Sequence, residues 1–292
     1  MSASSTGLLT HDRLAEASDR LTPLPAAANR LTTMLADDDV DLRAVVNIVT
    51  YDPMLTAVLL RQANSAHAGF VRPTSTVNEA VVRLGLGAVA SIAMRIAVAQ
   101  SLQRSLPVYG LESRDVLDHS IKTAVAADVL RARCPARVPA AASTVALLHD
   151  VGKILISDVL GSRAIELVGD ISEAEGGSLV EAEVGVFGLH HGQAGVHAIR
   201  RWELPLSFVE AMASHHCPPG EVGALATAVR VADELAHAID HPGEDSDENF
   251  TGAVPRRAAI ALSDIGIDEQ HHLQVLVDIE KRYEWVQGLM AA

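Results

Sequence analysis

The stretch YDPMLTAVLLRQANSAHAG, residues 51–69, decides the fold class. Asp52 is placed to cap a helix, Pro53 suits its first position, and Met54, Leu55, Val58 and Leu59 repeat with helical spacing. Gly69 supplies the expected stop. The device returns in TVNEAVVRLG, where Thr76 and Glu79 form a capping box closed by Gly85, and in SLVEAEVGVFG with Ser178 and Glu181. Nowhere is there a sustained period-2 alternation bounded by hairpin turns. Aromatic residues make up only 3% of the chain and alanine is abundant, which suits closely packed helices. The chain reads as all-α.

Two breaks divide it. RSLPVYGLESRD, around Pro107 and Gly110, ends an N-terminal lobe of residues 20–105 that follows a tail of residues 1–19. HPGEDSDENFTGAVP, from His241 to Pro255, is acidic and rich in helix breakers, and closes a histidine-rich lobe of residues 106–245. Residues 246–292 then comprise linker and a final helix from Asp268, with an apolar stripe at Leu273, Val275, Leu276 and Ile279. The stripe fits packing on its own lobe or on a partner.

With 292 residues, 49% of them hydrophobic, the chain can bury a large core. A formal charge of -14 disfavours direct binding to nucleic acid or to an anionic membrane, both of which need a basic surface. The longest apolar run, LGLGAVASIAMRIAVA, has 16 residues and contains Arg95, so it reads as a buried helix. Cys134 and Cys217 lie far apart without CxxC spacing, and no secretory signal opens the sequence. The expectation is a cytoplasmic protein.

Potential ligands recur through the central lobe. Asp115 and His119 are four apart on one helical face; ALLHDVGKIL contributes His149 and Asp150; FGLHHGQAG adds His190 and His191; AMASHHCP adds His215 and His216; VRVADELAHAI holds Asp233 in an apolar helix. Helical bundles build carboxylate and histidine metal sites from such residues. Imidazole and carboxylate without thiolate suit iron or manganese, with zinc or magnesium as alternatives. Asp150 could bridge two ions about 4 Å apart, and Lys153, one turn beyond His149, could offset phosphate charge. Each residue also has a plainer reading: Asp115 as a first-turn residue favouring the helix dipole, and the histidines with Asp150 and Asp233 as a metal-free hydrogen-bonded core. Of His190 and His191 only one is expected to point inward. His11, His67, His197, His237, His241, His271 and His272 are read as ordinary core or surface residues.

HDVGK, preceded by a helix carrying DHS and followed by HHGQAG, WELP and SHHCP, resembles the HD superfamily of metal-dependent phosphohydrolases. LTPLPAAANRL, DPMLTAVLLRQANSA and STVNEAVVRLGL resemble the HDOD domain, an HD-related output domain of bacterial signalling proteins, over residues 20–240. The resemblance implies an all-α bacterial regulatory protein, an N-terminal helical lobe packed on an HD-like helical bundle, with a signalling partner. By motif it implies metal ligands at His119, His149, Asp150, His191, His215, His216 and Asp233, a carboxylate at Asp115, and the lysine of HDxGK at Lys153. The ligand pattern is similar to that of HD-GYP phosphodiesterases, which implies a nucleotide or cyclic dinucleotide as a possible ligand. After His216, however, the chain lacks the loop carrying their GYP motif, so the shell of ligands comes without that substrate-recognition element. Three functions follow: a metal-binding regulator, an active phosphohydrolase with Asp150 and Lys153 in its catalytic site, or a metal-free interaction scaffold.

Overall fold

The computed structural model describes residues 9–36, 40–64, 72–112, 114–161, 179–241 and 254–291. Gly69, Ser178 and most of the acidic segment before Pro255 lie outside them. The described residues form helices, with no strand among them and one isolated bridge between Leu106 and Leu111. In order these are α1 (His11–Asp19), α2 (Ala26–Thr33), α3 (Leu42–Thr50), α4 (Pro53–Ala63), α5 (Val77–Leu102), α6 (Asp115–Arg133), α7 (Ala142–Leu148), α8 (Val151–Leu160), α9 (Leu179–Phe187), α10 (His191–Arg201), α11 (Leu206–Ser214), α12 (Ala224–Asp240), α13 (Arg256–Asp264) and α14 (His272–Ala291).

The caps expected at α4 and α5 form: Asp52 accepts from Leu55 N–H at 2.9 Å and Thr76 from Glu79 N–H at 3.3 Å. Gly85 does not end α5. It turns to φ 77° and ψ 160°, and a helical run resumes at once as far as Leu102. The expected stop is therefore a kink, because Leu86 and the residues beyond it find partners to pack on. This lengthens the apolar run: Val77–Ala99 is by length and composition apolar enough to cross a membrane, although half of it is buried within the protein. Arg95 sits in that buried half, 7% exposed.

Two clusters of buried side chains organise the molecule. The smaller joins α2, α3, α4 and the first part of α5 through Leu31, Val45, Leu55, Leu59 and Val81. The larger joins α6, α7, α8, α10, α11 and α12, and takes in Leu14 and Ala17 of α1. Helix α1 lies on α8 and α10, where Arg13 Nη2 donates to the Val159 carbonyl at 2.8 Å. The final helix packs on α6 of its own chain. Val275, Leu276, Ile279 and Val286 are buried there, whereas Leu273, expected in the stripe, is 49% exposed.

Candidate metal centre

Every residue of α7 is buried, and the helix runs out into His149 and Asp150, which turn the chain directly into α8. A helix end leaves carbonyls without partners. His149 answers one of them: its Nδ1–H donates to the Ala146 carbonyl at 2.7 Å, which turns Nε2, with its lone pair, inward. The same construction recurs at the end of α11, where His215 Nδ1–H donates to Met212 O at 2.8 Å. Two helices thus end on a buried imidazole held by the carbonyl three residues back, an arrangement that fixes tautomer and ring orientation as metal sites require.

Glycine brings these ends together. A Cβ on Gly152 of α8 would lie 1.8 Å from the His191 carbonyl oxygen, so α8 and α10 approach backbone to backbone. At the start of α10, His190 is the cap: its Nδ1 accepts from Gly192 N–H at 3.1 Å, while its own N–H donates to Gln193 Oε1 at 3.2 Å. His191 is the inward residue, 1% exposed. Its Nδ1–H donates to Glu183 Oε2 at 2.8 Å, and Tyr109 Oη–H donates to Glu183 Oε1 at 2.8 Å. Glu183, completely buried on α9, was not singled out in the sequence; a glutamate inside LVEAEVGVF is the signal that marks it.

The ligand atoms fall into two groups, His119 with His149 and Asp233, and His191 with His215 and His216, each within 4.8 Å of one another. Asp150 lies between them: Oδ2 is 3.6 Å from His149 Nε2, and Oδ1 is 3.3 Å from His191 Nε2. Asp233 Oδ1 approaches His119 Nε2 at 2.9 Å and His149 Nε2 at 3.3 Å, and His216 Nε2 lies 2.7 Å from His191 Nε2. Asp233, His237 and Asp240 share one face of α12, and His119 Nδ1 lies 3.3 Å from Asp240 Oδ2. His237, read from sequence as an ordinary residue, sits at the rim with its ring centroid 4.6 Å from that of His119.

Asp115 is outside both groups. It is exposed at the start of α6, where its carboxylate accepts from Glu112 N–H at 2.6 Å. Lys153 is inside, but its ammonium donates to Asp150 Oδ2 at 2.7 Å.

Protonation suits metal binding, which needs neutral imidazoles and ionised carboxylates. Burial, then the neighbouring His216 and His149, holds the His215 imidazole well below its ordinary range; burial and His191 bring His216 to about 3. Burial alone would raise Asp150 and Asp233, yet the positive charge that His149 carries when protonated, with Lys153 for Asp150 and with His237 for Asp233, holds them well below the usual carboxylate range. Asp150 Oδ1 and His215 Nε2 are buried without a hydrogen-bond partner among the described residues. Orphaned buried polar atoms are rare in folded proteins, and two of them facing a set of nitrogen and oxygen donors fit a cation.

A family model for the HDOD domain matches residues 21–218. The chain belongs to the HDOD family. This HDOD protein is 22% identical over 211 residues to an uncharacterized protein of Treponema pallidum, covering 70% of this chain and 39% of that protein. It is 27% identical over 161 residues to ribonuclease Y of Thermus thermophilus, covering 55% of this chain and 23% of the enzyme. The chain thus spans well under half the length of these relatives. Among solved structures, an HDOD domain protein of unknown function from Geobacter sulfurreducens superposes with a TM-score of 0.66 at 22% identity, over 96% of this chain and 97% of the other. A candidate phosphohydrolase from Shewanella amazonensis gives 0.64 at 22% identity, over 95% and 100%. These likenesses show the all-α fold.

Proposed function

We propose that this HDOD protein is a bacterial signalling regulator that holds a centre of one or two divalent metal ions. One set of ligands is His119, His149 and Asp233, the other His191, His215 and His216, with Asp150 shared. The observation that carries the reading is the position of Asp150 between two groups of inward nitrogens whose outer Nδ1 atoms, at His149, His215 and His191, are held by carbonyls or by Glu183. Iron or manganese suits this donor set best. A regulatory role is supported by the burial of the ligands, by the pairing of Lys153 with Asp150, and by the absence from the sequence of the GYP loop. Signalling partners and a reducing cytoplasm fit the HDOD family and the two unpaired cysteines.

A second reading, a metal-dependent phosphohydrolase acting on a nucleotide or cyclic dinucleotide, draws on one observation: a buried lysine beside a carboxylate placed between two ligand groups. When bound, the metals would supply a Lewis acid for phosphoryl oxygen. Lys153 would turn from Asp150 to hold a phosphate.

Chelation separates these readings from a metal-free scaffold. A ligand at a hundred-fold excess over its Kd stabilises the folded state by about 2.7 kcal/mol. Thermal unfolding of the chelated protein should therefore begin several degrees lower and recover with manganese or ferrous iron; an unchanged midpoint would support the scaffold. Assay of the loaded protein on nucleotides, cyclic dinucleotides and a generic phosphodiester then divides the other two. We expect no turnover, and turnover abolished by Lys153→Ala with metal retained would establish the hydrolase instead.

A further inference from the structure

A cavity of about 560 Å³, with no histidine in its lining, opens where α4 and the kink of α5 meet α6 and α14. Arg83, Arg131 and Arg282 line it together with Trp285, and Asp128 is the single carboxylate in its wall. On a chain of net charge -14, a concavity lined by three guanidiniums and one carboxylate is locally basic. Arg83 is taken up by the Glu79 carboxylate and the Arg72 carbonyl, whereas a guanidinium carries five N–H groups and the contacts of Arg131 and Arg282 use few of them. Arg131 gives Nη1 to the Val138 carbonyl at 2.6 Å, and Arg282 stands 3.9 Å from Asp128, beyond hydrogen-bonding distance.

A second observation points the same way. Arg95, 7% exposed, has Nη1 buried with no hydrogen-bond partner among the described residues. It lines an adjoining cavity of about 540 Å³ that shares Gln62 with the first. Burial lowers its pKa; of its charged neighbours, Asp128 opposes this and Arg282 adds to it, and both line the first cavity. Asp128 therefore stands against two guanidiniums, Arg282 and the buried Arg95, and buried charges are normally paired.

We propose that this cleft binds a nucleotide, its phosphate taken by Arg131 and Arg282 with the charge of Arg95 behind them, and its base laid against Trp285. Guanidinium forks suit phosphate, and indole offers a planar ring a stacking face. The volume lies within the range of small-molecule sites and far exceeds what inorganic phosphate would fill. The arginines line a hollow rather than a row along an open face, which favours a small ligand over a polynucleotide. A ligand held there would touch helices of both hydrophobic clusters at once.

Calorimetric titration of the full chain tests this, in chelator and again with metal, using AMP, GMP, ATP and GTP beside adenosine, guanosine and pyrophosphate. At least one nucleotide should bind with a Kd below about 100 µM, and the matching nucleoside and pyrophosphate should each bind at least about tenfold more weakly. Arg282→Ala and Trp285→Ala should each weaken the nucleotide by about tenfold or more, while its Kd in chelator matches that with metal. Arg131→Lys, which keeps the charge and loses the fork, guards against misfolding and should weaken binding to a lesser degree. No nucleotide binding below about 1 mM would overturn the proposal. So would binding indifferent to Arg282 and Trp285, binding that requires the metal, pyrophosphate matching the nucleotide, or an oligonucleotide binding where mononucleotides do not.

Discussion

Gly152→Ala is expected to destabilise the protein by more than about 3 kcal/mol, a cost typical of severe overpacking in a closed core. The added Cβ would stand 1.8 Å from the His191 carbonyl oxygen and 2.6 Å from the Gly195 amide nitrogen. Both are backbone atoms inside α10, so no side-chain rotation can relieve the clash. Helices α8 and α10 would have to part, and with them Asp150 and His191. Chemical denaturation measures the loss as a fall in midpoint. Gly185→Ala on α9 is the control: nothing lies within 4 Å of its Cβ, and alanine is the better helix former by about 1 kcal/mol. A Gly152→Ala midpoint equal to that of the parent would show that α8 and α10 are not in this contact.

Asp150→Asn is expected to cost about 3–5 kcal/mol, because it leaves the Lys153 ammonium buried without its partner. Lys153 is 6% exposed, and Asp150 Oδ2 accepts its hydrogen bond at 2.7 Å. Adding Lys153→Met to Asp150→Asn should return most of the lost stability, since the pair is then replaced by neutral groups. The double variant should still bind metal less well, because the carboxylate shared between the two ligand groups is gone. Denaturation and metal titration of the parent, single and double variants read the two roles apart. If the double variant regained metal affinity along with stability, Asp150 would be a partner of Lys153 and nothing more.

Much of the fold could be read from local chemistry. Asp52 with Pro53, and Thr76 three residues before Glu79, are caps whose partners lie within one turn, so sequence alone locates them. Gly85 was harder, because whether a positive φ ends a helix or kinks it depends on what the next residues pack against. The same holds for Leu273, whose periodicity fits the stripe but whose side of α14 faces solvent. At the candidate site, the adjacent pairs His149–Asp150 and His215–His216 stood out by position at helix ends. The choice between His190 and His191 did not, since it rests on which imidazole caps α10 and which meets Glu183. Glu183 and His237 escaped notice for a related reason: each looks like an ordinary helical residue until Glu183 meets His191 at the start of α10 and α12 packs on α6. Asp115 keeps helical register with His119, yet its carboxylate turns to the Glu112 amide.

The central claim is that the histidine and aspartate groups bind metal, and elemental analysis of the protein after manganese or ferrous iron loading and removal of excess tests it most directly. A two-ion centre predicts about two equivalents, and a single shared ion about one. His149→Ala and His215→Ala, which each remove a nitrogen from a different group, should both lower the content. Less than about a tenth of an equivalent, unchanged by His149→Ala, would contradict the metal centre and leave a hydrogen-bonded core in its place.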